Sequence, residues 1–267
     1  MTNGLVYLMY HELELPERRL CQNDAGYVRY ALKADGFREQ VAHLRAENFR
    51  GISVGEALSN ADEKKKYVVV TFDDGCETDL IVAAPVLREA DFNATFYVTV
   101  EHLGRRGYLS VDQLRELSDS GFEIGSHSLT HSYLHDLKTD EIRAEVSGSK
   151  ERLEEITGKR IAHFSCPGGR WDKRVSEIVR EAGYDSLVTS QIGTNTPETD
   201  SFRLSRVPVM RGIGIEEFAR TVHGRGLGRR RAQSAVLNVA KHVLGNSIYE
   251  KLRSTVLGQA TVERRVD

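Results

Sequence analysis

Apolar positions along the chain alternate between short β-type runs and stretches with helical spacing. Residues 5–10 form an apolar run that predicts a strand. Phe37, Val41 and Leu44 then share one helical face, and a short strand is expected at 49–53. Residues 67–72, YVVVTF, are nearly continuously apolar and β-favouring, the mark of a strand buried on both faces. A helix over 80–90 and a strand over 94–98 come next. Ser110 and Gln113 form a capping-box pattern that opens a helix carrying Leu114 and Leu117, followed by a strand at 122–125. A long helix holds Ile142, Val146, Leu153 and Ile156. Beyond it, a strand at 161–165 leads into Cys166-Pro-Gly-Gly and a helix with Val175, Ile178, Val179 and Ala182. Short strands near 186–189 and 206–209 complete the pattern. Repeated strand-then-helix units imply a parallel sheet, and their number predicts an α/β fold built as a distorted, incomplete (β/α) barrel. The barrel is expected to span 1–214, with 215–267 a basic, amphipathic helical extension packed on or beside it.

Composition narrows the class without naming a chemistry. The 267 residues are 28% charged and 40% hydrophobic with a formal net charge of −2, so no polyanionic partner such as nucleic acid is implied. Cys21, Cys76 and Cys166 are odd in number, far apart in sequence and without Cys-x-x-Cys spacing. That pattern argues against a disulfide framework and against a cysteine-built zinc site. The first residues carry no basic leader and only a six-residue apolar run, so the expectation is a cytoplasmic protein.

Chemistry concentrates at three expected strand ends, where α/β folds place their ligands: Thr71-Phe-Asp-Asp-Gly75, Gly125-Ser-His-Ser-Leu-Thr-His131 and Phe164-Ser-Cys-Pro-Gly-Gly169. His127 and His131 are four apart, so on a helical turn their imidazoles would share a face and grip one ion. With Asp74 they make a two-histidine, one-carboxylate set that leaves a fourth position for water, and Asp73 stays uncoordinated to act as a base. Each piece alone has a plainer reading: Asp-Asp-Gly is a common turn, and a histidine pair often lies on a solvated helix face.

"TFDDG" and "HSLTH" resemble the first two motifs of the polysaccharide deacetylases, the NodB-homology carbohydrate esterases, and "FSCPGG" resembles the end of their third, Arg-x-Pro-Tyr-Gly. The resemblance runs from about residue 5 to residue 211. It implies a distorted barrel of NodB type, one divalent metal (commonly zinc) and hydrolysis of N-acetyl groups on amino-sugar glycans. It further implies that Asp73 is the catalytic base, that Asp74, His127 and His131 are metal ligands, and that Gly168 offers a backbone N–H to the oxyanion.

The chain departs from the family pattern in two places. Ser165 stands where the family has an arginine that pairs with the base; Arg170 and Arg211 are the candidate substitutes and candidate substrate contacts, with a solvated rim position as the alternative. The late Leu-x-His motif has only a superficial counterpart in "TVH", 221–223. "LVYLMYHELE" instead resembles the opening strand of the permuted branch acting on poly-N-acetylglucosamine, which implies His11 as the acid. Trp171 is a candidate for lining a sugar site or for packing.

Between residues 218 and 249 there is no Asp or Glu but there are six Arg or Lys. This run predicts either a solvated helix face or peripheral association with an anionic membrane or a glycosyltransferase. The resemblance implies an amino-sugar glycan as partner, and the basic run extends the expectation to a lipid-linked saccharide. Two rival functions stay open: a non-catalytic glycan-binding module, and a metal-dependent amidohydrolase acting on a non-glycan amide.

Overall fold

A computed structural model of the chain describes residues 4–60, 65–228 and 230–232. Among these described residues, ten strands occur in order: β1 (Tyr7–Tyr10), β2 (Leu13–Glu14), β3 (Leu32–Lys33), β4 (Phe49–Ile52), β5 (Lys66–Phe72), β6 (Thr95–Val98), β7 (Glu123–Ser126), β8 (His163–Ser165), β9 (Ser186–Val188) and β10 (Val207–Pro208). Eight form one sheet in the order β10-β1-β5-β6-β7-β8-β9, with β4 paired to the first half of β5. Every pairing in it is parallel. The two end strands, β9 and β10, are not paired with each other, so the barrel is incomplete, and the stretch between them fills the gap.

Alternation along β5 decides which residues reach the interior. Phe72 stacks on Tyr10 and Phe96 of the neighbouring strands at 5.1 Å each, and Phe37 of helix Ala34–Ala46 meets Phe72 edge-on at 5.5 Å. That face looks outward onto helices. Val69 takes the opposite face and packs with Tyr7, Ile52, Val54, Tyr97, Val188 and Leu204 in the barrel interior. Counting on by twos, Thr71 and Asp73 also look inward, so the apolar strand delivers a carboxylate into the barrel mouth.

The helices follow the sequence with local exceptions. The capping box at Ser110 forms, with Gln113 N–H donating to Ser110 Oγ at 3.1 Å and Ser110 N–H to Gln113 Oε1 at 2.8 Å. The helix expected over 80–90 starts as a π-turn, Asp79–Ala83, before α-helix Ala84–Glu89. Pro85 lies directly after the π-turn, at the second position of that helix. The short parallel ladder of β2 with β3 is an addition that two-residue strands leave no pattern to predict. Chain packing groups residues up to Arg225 into one compact unit, so helix Ile215–Val222, the first part of the expected extension, belongs to it. Most of the extension lies outside the described residues.

Candidate active site

Asp73 and Asp74 follow β5, His127 follows β7 and Ser165 ends β8, so all stand at the carboxyl end of the sheet. Asp74 Oδ1 lies 3.5 Å from His127 Nε2 and 3.3 Å from His131 Nε2. One donor atom from each of the three residues falls within 4.8 Å of the others. The convergence does not come from a helical turn, as the spacing suggested. His131 sits in an irregular loop whose backbone takes positive φ at Ser128 (68°) and His131 (69°), as does Asp74 (84°). Left-handed backbone at non-glycine residues costs energy and persists only where surroundings fix it. Here Ser128 Oγ accepts the His131 N–H at 3.0 Å, and Glu145 Oε2 accepts the N–H groups of Leu129 and Thr130 at 3.0 Å each.

The donor chemistry of this trio fits a cation. His127 donates from Nδ1 to the Ser165 carbonyl at 2.9 Å, since a carbonyl can only accept. Burial lowers the His127 pKa to about 4, so near neutrality its Nε2 carries a bare lone pair. That lone pair faces Asp74 Oδ1, a buried oxygen whose other close neighbour is His131 Nε2 at 3.3 Å. Two acceptors face each other with no proton between them, which a bound cation would reconcile. Burial opposes the charge on Asp74, but His131, His11 and His127 together hold its pKa below the usual carboxylate range. Burial likewise opposes charge on His131, and the Asp74 carboxylate outweighs it and raises the imidazole's pKa. His131 is the open side of the cluster: its side chain is 30% exposed, against 2% for His127 and 5% for Asp74.

Asp73 is held by an arginine the sequence reading did not select. Arg206, fully buried, donates from Nη1 to Asp73 Oδ1 and from Nη2 to Asp73 Oδ2, both at 2.7 Å. Its other donors reach the Thr189 carbonyl, Thr71 Oγ1 and Ser165 Oγ at 3.0, 3.2 and 2.9 Å. Burial would raise the Asp73 pKa; the Arg206 charge and hydrogen bonds reverse that and lower it. Ser165 thus leaves room for an arginine arriving from the gap between β9 and β10.

Arg170 and Arg211, expected as substitutes, are engaged elsewhere. Arg211 donates from Nη2 to both Glu14 carboxylate oxygens, at 2.7 and 2.9 Å, and from Nη1 to the Ala31 carbonyl. The Arg170 guanidinium lies 3.9 Å from the centre of the Tyr133 ring and 3.7 Å from Asp136. Arg206 was findable, because it alternates with Val207 and Val209: those two valines take the outward face, which leaves Arg206 on the inward face with Leu204.

His11 directly follows β1, beside Asp73, whose N–H donates to the Tyr10 carbonyl at 3.0 Å. Its ring stacks on Tyr30 at 4.8 Å, and its charge bears on both Asp73 and Asp74. His223 packs against Phe49, which opens β4 at the opposite end of the sheet. Gly168 has φ of 61°, and a Cβ there would come within 2.7 Å of the Tyr133 ring, so this turn has room only for glycine. Tyr133, 43% exposed beside Gly168, was also not selected from sequence. Trp171 is half-buried, with the Arg203 guanidinium 5.1 Å from its ring.

A family model described as polysaccharide deacetylase matches residues 60–187, which hold both motifs and the whole trio. Over that stretch, just under half of its length, the chain is similar to the polysaccharide deacetylase family. It is 26% identical over 186 residues to YxkH of Bacillus subtilis, provisionally named a polysaccharide deacetylase, covering 68% of this chain and 67% of that one. It is 23% identical to the poly-beta-1,6-N-acetyl-D-glucosamine N-deacetylase of Staphylococcus epidermidis over 78% of this chain and 79% of that relative. Among solved structures, a polysaccharide deacetylase from Bacillus cereus superposes with a TM-score of 0.73 at 26% identity, covering 82% of this chain and 69% of the other. The incomplete parallel barrel is thus the architecture of this family.

Proposed function

We propose that the chain removes N-acetyl groups from an amino-sugar polysaccharide or lipid-linked saccharide, releasing acetate. The observation that carries this reading is the pairing of Asp73 with buried Arg206 immediately beside the Asp74–His127–His131 trio. A carboxylate held anionic, and denied to the cluster by its own guanidinium, is free to act as a proton acceptor. A divalent ion, zinc by the chemistry of two imidazoles and one carboxylate, would be held by Asp74, His127 and His131 and would supply Lewis-acid activation of water and of the acyl oxygen.

The chain's residues divide the remaining work. Asp73 takes the proton of the attacking water at its carboxylate, and Arg206 fixes the direction of that carboxylate. The Gly168 N–H, in its left-handed turn, is assigned to the oxyanion. His11, on the first strand's end, gives a proton to the departing amine. Tyr133, Arg170 and Trp171 form a rim suited to a sugar ring, while Arg211 acts on the substrate only if its pair with Glu14 opens.

The resemblance to the poly-N-acetylglucosamine enzyme favours a β-linked glucosamine polymer as substrate. The basic run at 218–249 extends the proposal to a cytoplasmic enzyme peripheral to an anionic membrane or a glycosyltransferase, and this part stands on sequence alone. The test is acetate release from N-acetylated chito-oligosaccharides and poly-N-acetylglucosamine, with a chelator arm and an Asp73→Asn arm. Chelator-sensitive release that is lost in Asp73→Asn supports the proposal. Glycan binding without release by the metal-loaded chain would favour a binding module and defeat it.

A further inference from the structure

A second group of metal-type donors lies beside the first and takes no part in the proposed chemistry. Cys21 and Cys76 are 55 residues apart in sequence, yet their Sγ atoms stand 3.8 Å apart. Both are free thiols, and Glu12 completes a set whose donor atoms all lie within 4.8 Å of one another. Two thiolates at 2.3 Å from a tetrahedral zinc-type ion are separated by about 3.8 Å, so this pair already has the spacing of two such ligands. A disulfide would need the sulfurs at about 2.05 Å.

The surroundings read as a built site. Glu12 is 1% exposed, and its Oε2 accepts the Cys21 N–H at 2.8 Å and the Tyr27 hydroxyl at 2.9 Å, which fixes the carboxylate. The Tyr27 hydroxyl also lies 3.3 Å from Cys76 Sγ. Gly107 makes room for Cys21, since a Cβ there would come within 2.7 Å of its sulfur. Asp79 is fully buried with both carboxylate oxygens unpartnered. Burial, with Asp74, Cys21 and Glu12 near it, pushes its pKa well above the ordinary range. Arg18, which bears on Glu12, uses its guanidinium on Glu77 and the Gly107 carbonyl. The region therefore gathers carboxylates and thiols with little positive charge to balance them.

We propose that Cys21, Cys76 and Glu12 form a second divalent-metal site, selective for thiophilic ions such as zinc, that ties the segment before helix Ala25–Val28 to the turn carrying Asp73 and Asp74. The two thiols release their protons to solvent as the ion enters, and Cys21, half-exposed, is the side from which it arrives. The role is structural: it braces the turn that must hold Asp74 at positive φ. This inference does not depend on the deacetylase reading, because its readout is ligand chemistry and not turnover.

The test is an anaerobic cobalt(II) titration of the full chain after chelator and reductant treatment. The proposal expects two equivalents bound, and a thiolate-to-cobalt charge-transfer band that saturates with one of them. The band should vanish in Cys21→Ser and in Cys76→Ser and persist in Cys166→Ser. It should also persist in the His127→Ala, His131→Ala double variant, which removes the other trio. The reduced wild-type chain decides the matter even if a variant fails to fold: no charge-transfer band there overturns the site. So does a band that survives both single serine variants, or one lost only with the histidines. A chain that forms a Cys21–Cys76 disulfide with hydrogen peroxide but shows no cobalt band when reduced also overturns it.

Discussion

Arg206→Met removes a fully buried guanidinium and leaves Asp73, whose side chain is 3% exposed, without its two-pronged partner. Five side-chain hydrogen bonds go with it. Breaking one side of a buried ion pair costs about 3–5 kcal/mol, because the remaining charge keeps its burial and loses its compensation. At about 2–4 °C per kcal/mol for a domain of this size, the melting temperature should drop by on the order of 10 °C. The decisive assay is a double-mutant cycle with Asp73→Asn, read by thermal or urea unfolding in chelator so that metal binding does not add its own stabilisation. If the pair is the interaction that matters, the double variant recovers part of the loss, with a coupling of about 2 kcal/mol or more. The sign with pH follows from the lowered Asp73 pKa. The stabilisation is complete above the unfolded carboxylate value of about 3.9 and is lost as pH falls through the lower folded value. In activity, Arg206→Met should move the acid limb of the pH–rate profile upward by about 1–3 units, since Asp73 would protonate more easily. Penalties that add within about 0.5 kcal/mol, together with an unmoved acid limb, would refute the reasoning.

Asp73→Asn should keep metal binding and lower acetate release by roughly a hundredfold or more, measured with metal content on the same sample. His11→Ala should lower turnover by a similar factor, about a hundredfold, with metal retained. His223→Ala, at the other end of the sheet, should stay near wild type in the same acetate assay. His127→Ala and Asp74→Ala should each remove the ion of the trio, read by elemental analysis after dialysis. Glu123→Gln should cost about 1.5–3 kcal/mol in urea unfolding near neutrality, because the Glu123 carboxylate accepts from Gly55 N–H and Ser53 Oγ at 3.0 and 3.1 Å and pairs with His163. Its folded pKa is lowered, so the wild-type advantage should shrink as pH falls through that value.

What the sequence made legible, and what it did not, follows from whether contacts are local. β5 could be read because its apolar run is continuous, and the two motifs because each is confined to a few residues at a strand end. Asp73, Asp74 and His127 then had to lie at one end of the sheet, since all strands of a parallel sheet deliver their carboxyl ends to one side. The geometry joining His127 to His131 was not legible. A spacing of four suggests a helical turn, whereas the chain uses positive φ at Ser128 and His131, held by Ser128 Oγ and by Glu145, fourteen residues beyond His131. Side-chain hydrogen bonds of that kind leave no periodic trace.

Arg206 and the Cys21–Cys76 pair show the same limit over longer distances. The family arginine is missing from its usual place, and proximity in sequence to the motifs favoured Arg170 and Arg211 as replacements. Proximity was the wrong criterion in an incomplete barrel, because the unclosed gap admits a side chain from the far end of the chain. Arg206 crosses 133 sequence positions to reach Asp73. The cue that survives in the sequence is an arginine at an inward position of an apolar strand pattern, where an unpaired charge would be too costly to keep. A buried arginine on such a strand calls for a buried carboxylate, and the inward register of β5 leaves Asp73 to meet it. The same test applied to Asp74 points elsewhere, because among the described residues no guanidinium pairs with it. Its compensation falls to the two imidazoles and, under the proposed function, to a cation they would share, which would give two adjacent carboxylates at one strand end different chemical roles.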